Sequence, residues 1–116
     1  LEESLRSVVI TASVLGRDFN PGLLVEVCGA GGSLEMLERG IQAGIWNRRD
    51  HGVFSFTHNL LREAAYRVQL HSRRTAVHSS VARAAVAKWG DLAERASFIA
   101  HHLDMAGEEQ PAAALK

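Results

Sequence analysis

Apolar residues recur at helical spacing through the first third of the chain. A stripe at positions i, i+3, i+4 and i+7 predicts a first helix that ends at Gly16, where a residue without a Cβ can adopt the left-handed cap conformation. Asn20 suits the N-cap of a second helix, and Pro21 suits its first position. That helix stops at Gly29, and a third helix capped by Ser33 follows. The apolar positions of these helices are Leu5, Val8, Val9, Ala12, Leu15, Leu23, Leu24, Val27, Cys28, Leu34, Leu37 and Ile41.

The apolar period changes from 3.6 to 2 after Gly44, where the third helix ends. A short apolar strand leads into the polar segment 47–52, and the chain returns with Phe54 and Phe56 on one face. This pattern predicts a two-stranded β-hairpin. Three short helices followed by a hairpin is the order of a winged-helix domain. The second and third helices would form its helix-turn-helix, and residues 47–52 its wing tip.

The returning strand runs without a loop into a fourth helix, and His58 lies at the junction. Ser72 suits the N-cap of a fifth helix, residues 91–94 form a capping-box-like start for a sixth, and Pro111 opens one more. Short links and alanine-rich faces predict antiparallel helical hairpins of the α-solenoid kind. The apolar positions are Leu60, Leu61, Ala64, Ala65, Val68, Val77, Val81, Ala84 or Ala85, Trp89, Leu92, Ala96, Ile99 and Leu103. The predicted fold class is mainly α with one small β-hairpin.

Composition indicates a globular, cytoplasmic segment. The chain has 116 residues, of which 47% are hydrophobic, so we expect one domain, or one small domain plus the start of another. It holds no apolar run of the roughly 18–20 residues that cross a bilayer, and no signal peptide. A single cysteine, Cys28, fits a reducing compartment. Because the chain begins with Leu1 and stops within a helical pattern, we expect a fragment of a longer protein.

The formal net charge of zero hides a basic middle. Residues 1–40 carry three basic and six acidic side chains, residues 41–90 carry eight and two, and residues 91–116 carry two and five. The basic segment can meet phosphate or form an internal docking surface, and a solvated or salt-bridged helix face explains it as well. Its candidate interaction residues are Arg48, Arg49, Arg62, Arg67, Arg73 and Arg74.

The sequence does not favour an enzyme or a metal protein. The glycines of segment 29–32 are followed by Ser33, Leu34 and Glu35 in place of the Lys and hydroxyl that a phosphate-binding loop needs. No serine lies in a nucleophile elbow. No pair of histidines has the i, i+4 spacing that places two imidazoles on one helical face, and no CxxC is present. The histidines are His51, His58, His71, His78, His101 and His102. We therefore expect no catalytic residues and no metal site.

Direct DNA binding is one hypothesis, because many winged helices bind DNA. The third helix would then present side chains to base edges, but it carries Glu35 and Glu38, which repel phosphate. Arg48 and Arg49 at the wing tip remain able to contact a DNA backbone. The chain as a DNA-binding domain of a transcriptional regulator is thus the alternative hypothesis. A third hypothesis is a protein-docking module that uses the surface of the fourth to sixth helices.

His58 admits two interpretations from the residues alone. In the first, its imidazole hydrogen-bonds local backbone at the start of the fourth helix. In the second, it contacts an anion, because helix N-termini attract negative charge through their N–H groups and dipole. The aromatic residues near it are most simply core. These are Trp46, Phe54, Phe56 and, further along, Trp89.

Three segments carry a resemblance to a known family. They are SVLGRDF at 13–19, LERGIQAGIW at 37–46 and FSFTHNLLREAAYRVQLHSRRTAVHSSVARA at 54–84. They resemble the region that follows the nucleotide-binding module in STAND-class regulatory ATPases, above all bacterial proteins that join an AAA-like ATPase to a helical-repeat arm and to an adenylate cyclase or LuxR-type domain. The tail from Ala93 to Lys116 resembles the beginning of tetratricopeptide-like repeats. The resemblance implies a winged helix at 1–57 and a helical linker with the start of an α-solenoid arm at 58–116.

The resemblance also implies a role for His58. Thr57, His58 and Asn59 fall where relatives carry Met-His-Asp, whose histidine contacts the β-phosphate of bound ADP and helps lock an inactive state. Only His58 matches that motif, since Asn59 replaces the acid and Thr57 the Met. ATP or ADP would belong to the full-length protein and no cofactor to this segment. The implied partners are an upstream nucleotide-binding domain and downstream helical repeats of the same chain, with neither DNA nor a membrane.

Overall fold

The computed structural model of the chain describes residues 3–29, 34–90 and 92–107. This part of the chain is mainly helical and contains a small three-stranded antiparallel sheet, in agreement with the predicted fold class. Its helices and strands are α1 (Glu3–Leu15), β1 (Asp18–Phe19), α2 (Pro21–Cys28), α3 (Leu34–Gln42), β2 (Trp46–Arg48), β3 (Phe54–Phe56), α4 (Asn59–Arg67), α5 (His71–Trp89) and α6 (Ala96–Met105). The predictions for Ser33, Asp91 and Pro111 fall outside the described residues.

The chain forms two compact units, Leu1–Leu70 and His71–Lys116. The predicted division into a winged helix at 1–57 and a helical arm at 58–116 stays a prediction. The structure places α4 in the first unit because this helix packs on α1. The order α1–β1–α2–α3–β2–β3 within that unit keeps the three helices and the hairpin that the apolar pattern predicted.

α1 ends, and α2 begins and ends, where the sequence predicts. α1 buries its whole predicted stripe, and the chain leaves it at Gly16, whose φ of 133° favours glycine. Asn20 caps α2 through its Oδ1, which accepts a hydrogen bond from the Leu23 amide at 2.9 Å. Pro21 occupies the first helical position. Leu23 and Leu24 are fully buried and supply the contact surface of this short helix.

The sheet has one strand more than the predicted hairpin. Strand order is β1-β3-β2, so the returning strand β3 is central. Phe19 pairs with Phe54 in the β1–β3 ladder, and Trp46 pairs with Phe56 in the β2–β3 ladder. These four rings lie on one face, with Phe19 centred 5.4–6.0 Å from each of the others. The predicted assignment of Trp46, Phe54 and Phe56 to the core is confirmed.

Trp46 also fixes α3 against the sheet. Its indole Nε1 donates a buried hydrogen bond to the carbonyl oxygen of Leu37 at 2.9 Å. The indole ring lies directly over Gly40, where a Cβ atom would overlap it. A glycine within a helix normally lowers helix stability, and here its missing side chain makes room for the largest ring of the core.

The second unit contains the pair α5 and α6, joined through a 3-10 turn at Ala93–Arg95. α5 buries Val81, Ala82 and Ala85 completely. Near the turn, Trp89 packs edge-on against Phe98. No helix among the described residues is long and apolar enough to cross a membrane.

Several predicted details are wrong. Leu34 and Leu60 are 77% and 78% exposed, although both belong to predicted apolar faces. Each lies in the first turn of its helix. α5 begins at His71, so Ser72 lies inside the helix and does not cap it. Leu92 precedes α6 and is exposed, because the 3-10 turn delays the helix to Ala96.

Candidate functional site

His58 lies between β3 and α4, as the sequence predicts. It is the N-cap residue of α4 in an extended conformation, with φ −127° and ψ 123°. Its carbonyl oxygen accepts hydrogen bonds from the amides of Leu61 and Arg62, at 3.1 and 3.3 Å. Its imidazole is exposed and makes no capping hydrogen bond. The interpretation in which the ring bonds local backbone is therefore wrong, and the ring faces solvent at a helix N-terminus.

The first turn of α4 carries no acidic side chain. The first acid is Glu63, whose Oε1 accepts a long hydrogen bond of 3.4 Å from Asn59 Nδ2. The N–H groups of a first helical turn have no partner within the helix, and the helix dipole adds a positive potential there. An exposed imidazole beside this turn has the chemistry to meet an anion.

Arg62 connects α4 to α1. Its Nε–H donates to the carbonyl oxygen of Ser13 at 3.0 Å, and its guanidinium lies 5.3 Å from the centre of the Tyr66 ring. Gln69, which follows α4, donates through Nε2 to the hydroxyl of Ser13 at 3.4 Å. Ser13 is fully buried, so these contacts tie the helix that follows His58 to the innermost turn of α1. Arg62 is thus a structural link and not a free cation.

The wing-tip arginines differ in their surroundings. Arg48 forms an ion pair with Glu38 of α3 and lies 5.7 Å from the centre of the Phe54 ring. Its charge is therefore offset within the unit. Arg49 is exposed and lines a cleft of about 310 Å³ on the outer side of the sheet. The lining consists of Arg17, Asp18, Asn47, Arg49, Ser55, Phe56 and Thr57.

A cross-strand row forms part of this cleft. Asp18, Ser55 and Asn47 are aligned across the three strands. The Ser55 hydroxyl donates to Asp18 Oδ1 at 2.6 Å, and Asn47 Nδ2 donates to the Thr57 hydroxyl at 3.3 Å. The side chains of this row therefore already make hydrogen bonds with one another and with Thr57.

The other candidate arginines are distributed over both units. Arg67 lies on α4 in the first unit and is exposed. Arg73 and Arg74 lie in the first turn of α5 in the second unit, where Arg73 is exposed and Arg74 half-buried.

A histidine pair in the second unit was not predicted. His78 of α5 and His102 of α6 are 2% and 1% exposed, and their Nδ1 atoms lie 2.7 Å apart. The two residues are separated by 24 positions, so spacing within one helix cannot reveal them. Helical periodicity does offer a signal, because each lies on the buried stripe of its own helix. No group of three or more metal-binding side chains is present among the residues that the structure describes.

Cys28 behaves as a half-buried apolar residue at the end of α2. Burial raises the pKa of its thiol, and a hydrogen bond with the Thr11 side chain opposes that shift in part. A thiol with a raised pKa is a poor nucleophile near neutral pH. This agrees with its place among the apolar positions of the predicted second helix.

Comparisons of the chain with protein-family models, with curated proteins and with solved structures found no match.

Proposed function

We propose that the chain is a non-catalytic regulatory segment of a multidomain, STAND-type signalling ATPase in the cytoplasm. In this role the winged helix and the helical arm couple the nucleotide state of an upstream domain to an output domain. The observation that carries the proposal is the position of His58, an exposed imidazole at the N-terminus of α4. His58 is the residue for which the resemblance to the Met-His-Asp motif implies a phosphate contact.

The contacts of α4 support a coupling role. Movement of His58 would be transmitted to the innermost turn of α1 through the hydrogen bond from Arg62 to Ser13 and that from Gln69 to Ser13. The same helix ends just before His71, where the second unit begins. A phosphate bound at His58 in one state only would therefore act on α4. This helix packs on α1 within the first unit and precedes the second unit in the chain.

The energetics are those of a two-state switch. A contact that exists only in the ADP-bound state biases the equilibrium by its own differential free energy, about 1–3 kcal/mol for a typical coupling. One imidazole–phosphate contact is of sufficient strength for this effect. The helix dipole and the absence of an acid in the first turn of α4 act in the same direction.

The proposal is tested in the full-length protein with His58→Ala. Because the imidazole makes no capping hydrogen bond, its removal costs little stability, and a change in behaviour reports the lost phosphate contact. We expect less ADP to remain bound after purification and a higher basal output. The matched control is His51→Asn, at an exposed wing-tip position whose φ of 63° suits Asn. Unchanged ADP content and output in His58→Ala would refute the proposal.

DNA binding is the alternative, and the structure gives it less support. Arg48 is paired with Glu38, and the exposed side of α3 carries Glu35, paired with Arg39 at 3.6 Å. Arg49 and Arg17 are exposed and line the cleft beside the wing. A titration of the chain with duplex DNA at low salt separates the hypotheses. Tight, salt-dependent binding that is lost on substitution of Arg48 and Arg49 would favour DNA.

Protein docking is the third hypothesis, and α4 shows one feature that favours it. Leu60, Ala64 and Val68 lie at helical spacing, and all three are exposed. In the proposed function this apolar stripe belongs to the surface that contacts other domains of the same protein. Because Leu60 and Val68 are exposed, polar substitutions there are expected to leave the fold intact. The solubility of the variants and their free energy of unfolding in urea measure whether the fold is retained.

A further inference from the structure

The second unit contains two titratable side chains that the proposed function does not use. His78 and His102 are almost completely buried, and their Nδ1 atoms lie 2.7 Å apart. The ring centres are 4.9 Å apart with the planes inclined by 35°. This distance is that of a hydrogen bond between two ring nitrogens. The contact joins the middle of α5 to the last turns of α6, the two helices that form the unit's main packing interface.

The proton count of this contact is limited by its geometry. One Nδ1 must carry the proton and donate it, while the other must present its lone pair. The pair can therefore be neutral or can hold one additional proton on an outer nitrogen. It cannot consist of two imidazolium rings, because two N–H groups would then face each other and two positive charges would be buried at contact distance.

We infer that the His78–His102 pair is an acid-sensitive clasp that holds α5 and α6 together near neutral pH and releases them as the pH falls below about 6.5. In the separated helices both imidazoles take up a proton with ordinary affinity. In the closed pair at least one nitrogen is withheld from protonation. The open state therefore binds at least one more proton in acid, and by linkage acid favours it.

The charged residues near the pair do not reverse the expectation that acid favours separation of α5 and α6. On α5, Arg74 lies one turn before His78, and its positive charge opposes further protonation. On α6, the exposed ring of His101 is centred 5.0 Å from that of His102 and 6.1 Å from that of His78.

The other charged residues that the structure describes on α5 are Arg73, Arg83 and Lys88, and all three are exposed. Asp104 is exposed on α6 two positions after His102, which places it on another side of the helix. In the 3-10 turn, Glu94 is exposed, and Arg95 lies 4.3 Å from the centre of the Trp89 ring at the other end of the interface. Phe98, centred 4.5 Å from His102, adds an apolar wall that disfavours a buried charge.

Amide hydrogen exchange on the full chain tests the clasp, with rates corrected for intrinsic pH dependence. Between pH 6.5 and 5.5 the opening equilibrium of α5 and α6 is expected to rise at least about fivefold, and below that by roughly tenfold for each pH unit. The double variant H78F/H102L, with an apolar pair in place of the clasp, is expected to lose this response. The control H101Q, which removes the exposed neighbour, is expected to keep it. An acid response of equal size in H78F/H102L and in the wild type would overturn the inference.

A second measurement uses only the wild-type chain, so it tests the clasp even if H78F/H102L does not fold. Ring NMR signals of the wild-type histidines can be followed against pH beside the amide signals of α5 and α6. The exposed residues His51, His58 and His71, which lie outside the pair, provide reference ring signals. The pair is expected to take up fewer than two protons before α5 and α6 open. Complete titration of both rings with the native amide signals retained would overturn the clasp.

Discussion

Arg62 donates its Nε–H to the carbonyl oxygen of Ser13 at 3.0 Å, across a separation of 49 positions in the chain. The acceptor is the carbonyl group of a fully buried residue in the last turns of α1, where backbone carbonyl groups lack partners within their own helix. The contact fixes the direction in which α4 leaves the sheet, and with it the position of His58.

This relationship predicts the effect of Arg62→Met, which keeps the aliphatic stem and removes the donor. Because the Ser13 carbonyl loses a charge-assisted hydrogen bond, we expect a loss of about 1–3 kcal/mol in the free energy of unfolding. Urea unfolding followed by circular dichroism measures it. Arg67→Met is the matched control on the same helix and should change stability by less than about 0.5 kcal/mol, since Arg67 is exposed. Equal effects of the two substitutions would contradict the assigned role of Arg62.

The contact between Gly40 and Trp46 predicts an unusual outcome for Gly40→Ala. In an ordinary helix this change stabilises by about 1 kcal/mol. Here the new Cβ would overlap the indole ring, so the helix must move away from the sheet, and we expect a net loss of about 1–3 kcal/mol in the free energy of unfolding. Thermal unfolding measures the change, with the exposed Gln42→Ala on the same helix as control. A stabilised Gly40→Ala would show that the ring does not pack as described.

The raised pKa of Cys28 predicts slow alkylation. Since burial disfavours the thiolate, iodoacetamide should react more slowly with the folded chain than with the chain in denaturant, and the rate should rise only at a higher pH. A folded-state pKa above the unfolded value also means that stability is intact below the thiol's ordinary range and declines as the pH rises through it. Mass spectrometry of the alkylated fraction against pH measures the first effect. Similar profiles for folded and denatured chain would contradict it.

The sequence predicts the larger features of this fold because their signals are local. The stripe of α1, the Asn20 cap and the change of period at Gly44 each depend on residues close together in the chain. β1 was missed for the opposite reason. It has two residues, too few to show an alternation, and it exists only because Phe54 and Ser55 offer it an edge 37 residues or so away in the chain.

The candidate site shows the same limit. The sequence places His58 at a strand–helix junction correctly, because the spacing of apolar residues predicts both the strand before it and the helix after it. It cannot show that Arg48 is already paired with Glu38, or that Arg62 reaches a backbone carbonyl in α1. The His78–His102 contact joins two helices, so neither stripe alone contains it. Contacts between residues far apart in the chain decide which charged side chains remain able to bind a ligand. A single sequence gives little information about such contacts.

The dissociation rate of ADP reports on the proposed phosphate contact of His58. The full-length protein is loaded with labelled ADP and chased with excess unlabelled nucleotide, in parallel for the wild type, His58→Ala and the His51→Asn control. If His58 contacts the β-phosphate in the ADP-bound state, His58→Ala should release ADP about 5- to 150-fold faster, as a coupling of about 1–3 kcal/mol requires. The control should release it at the wild-type rate. Equal release rates for His58→Ala and the wild type would contradict the account.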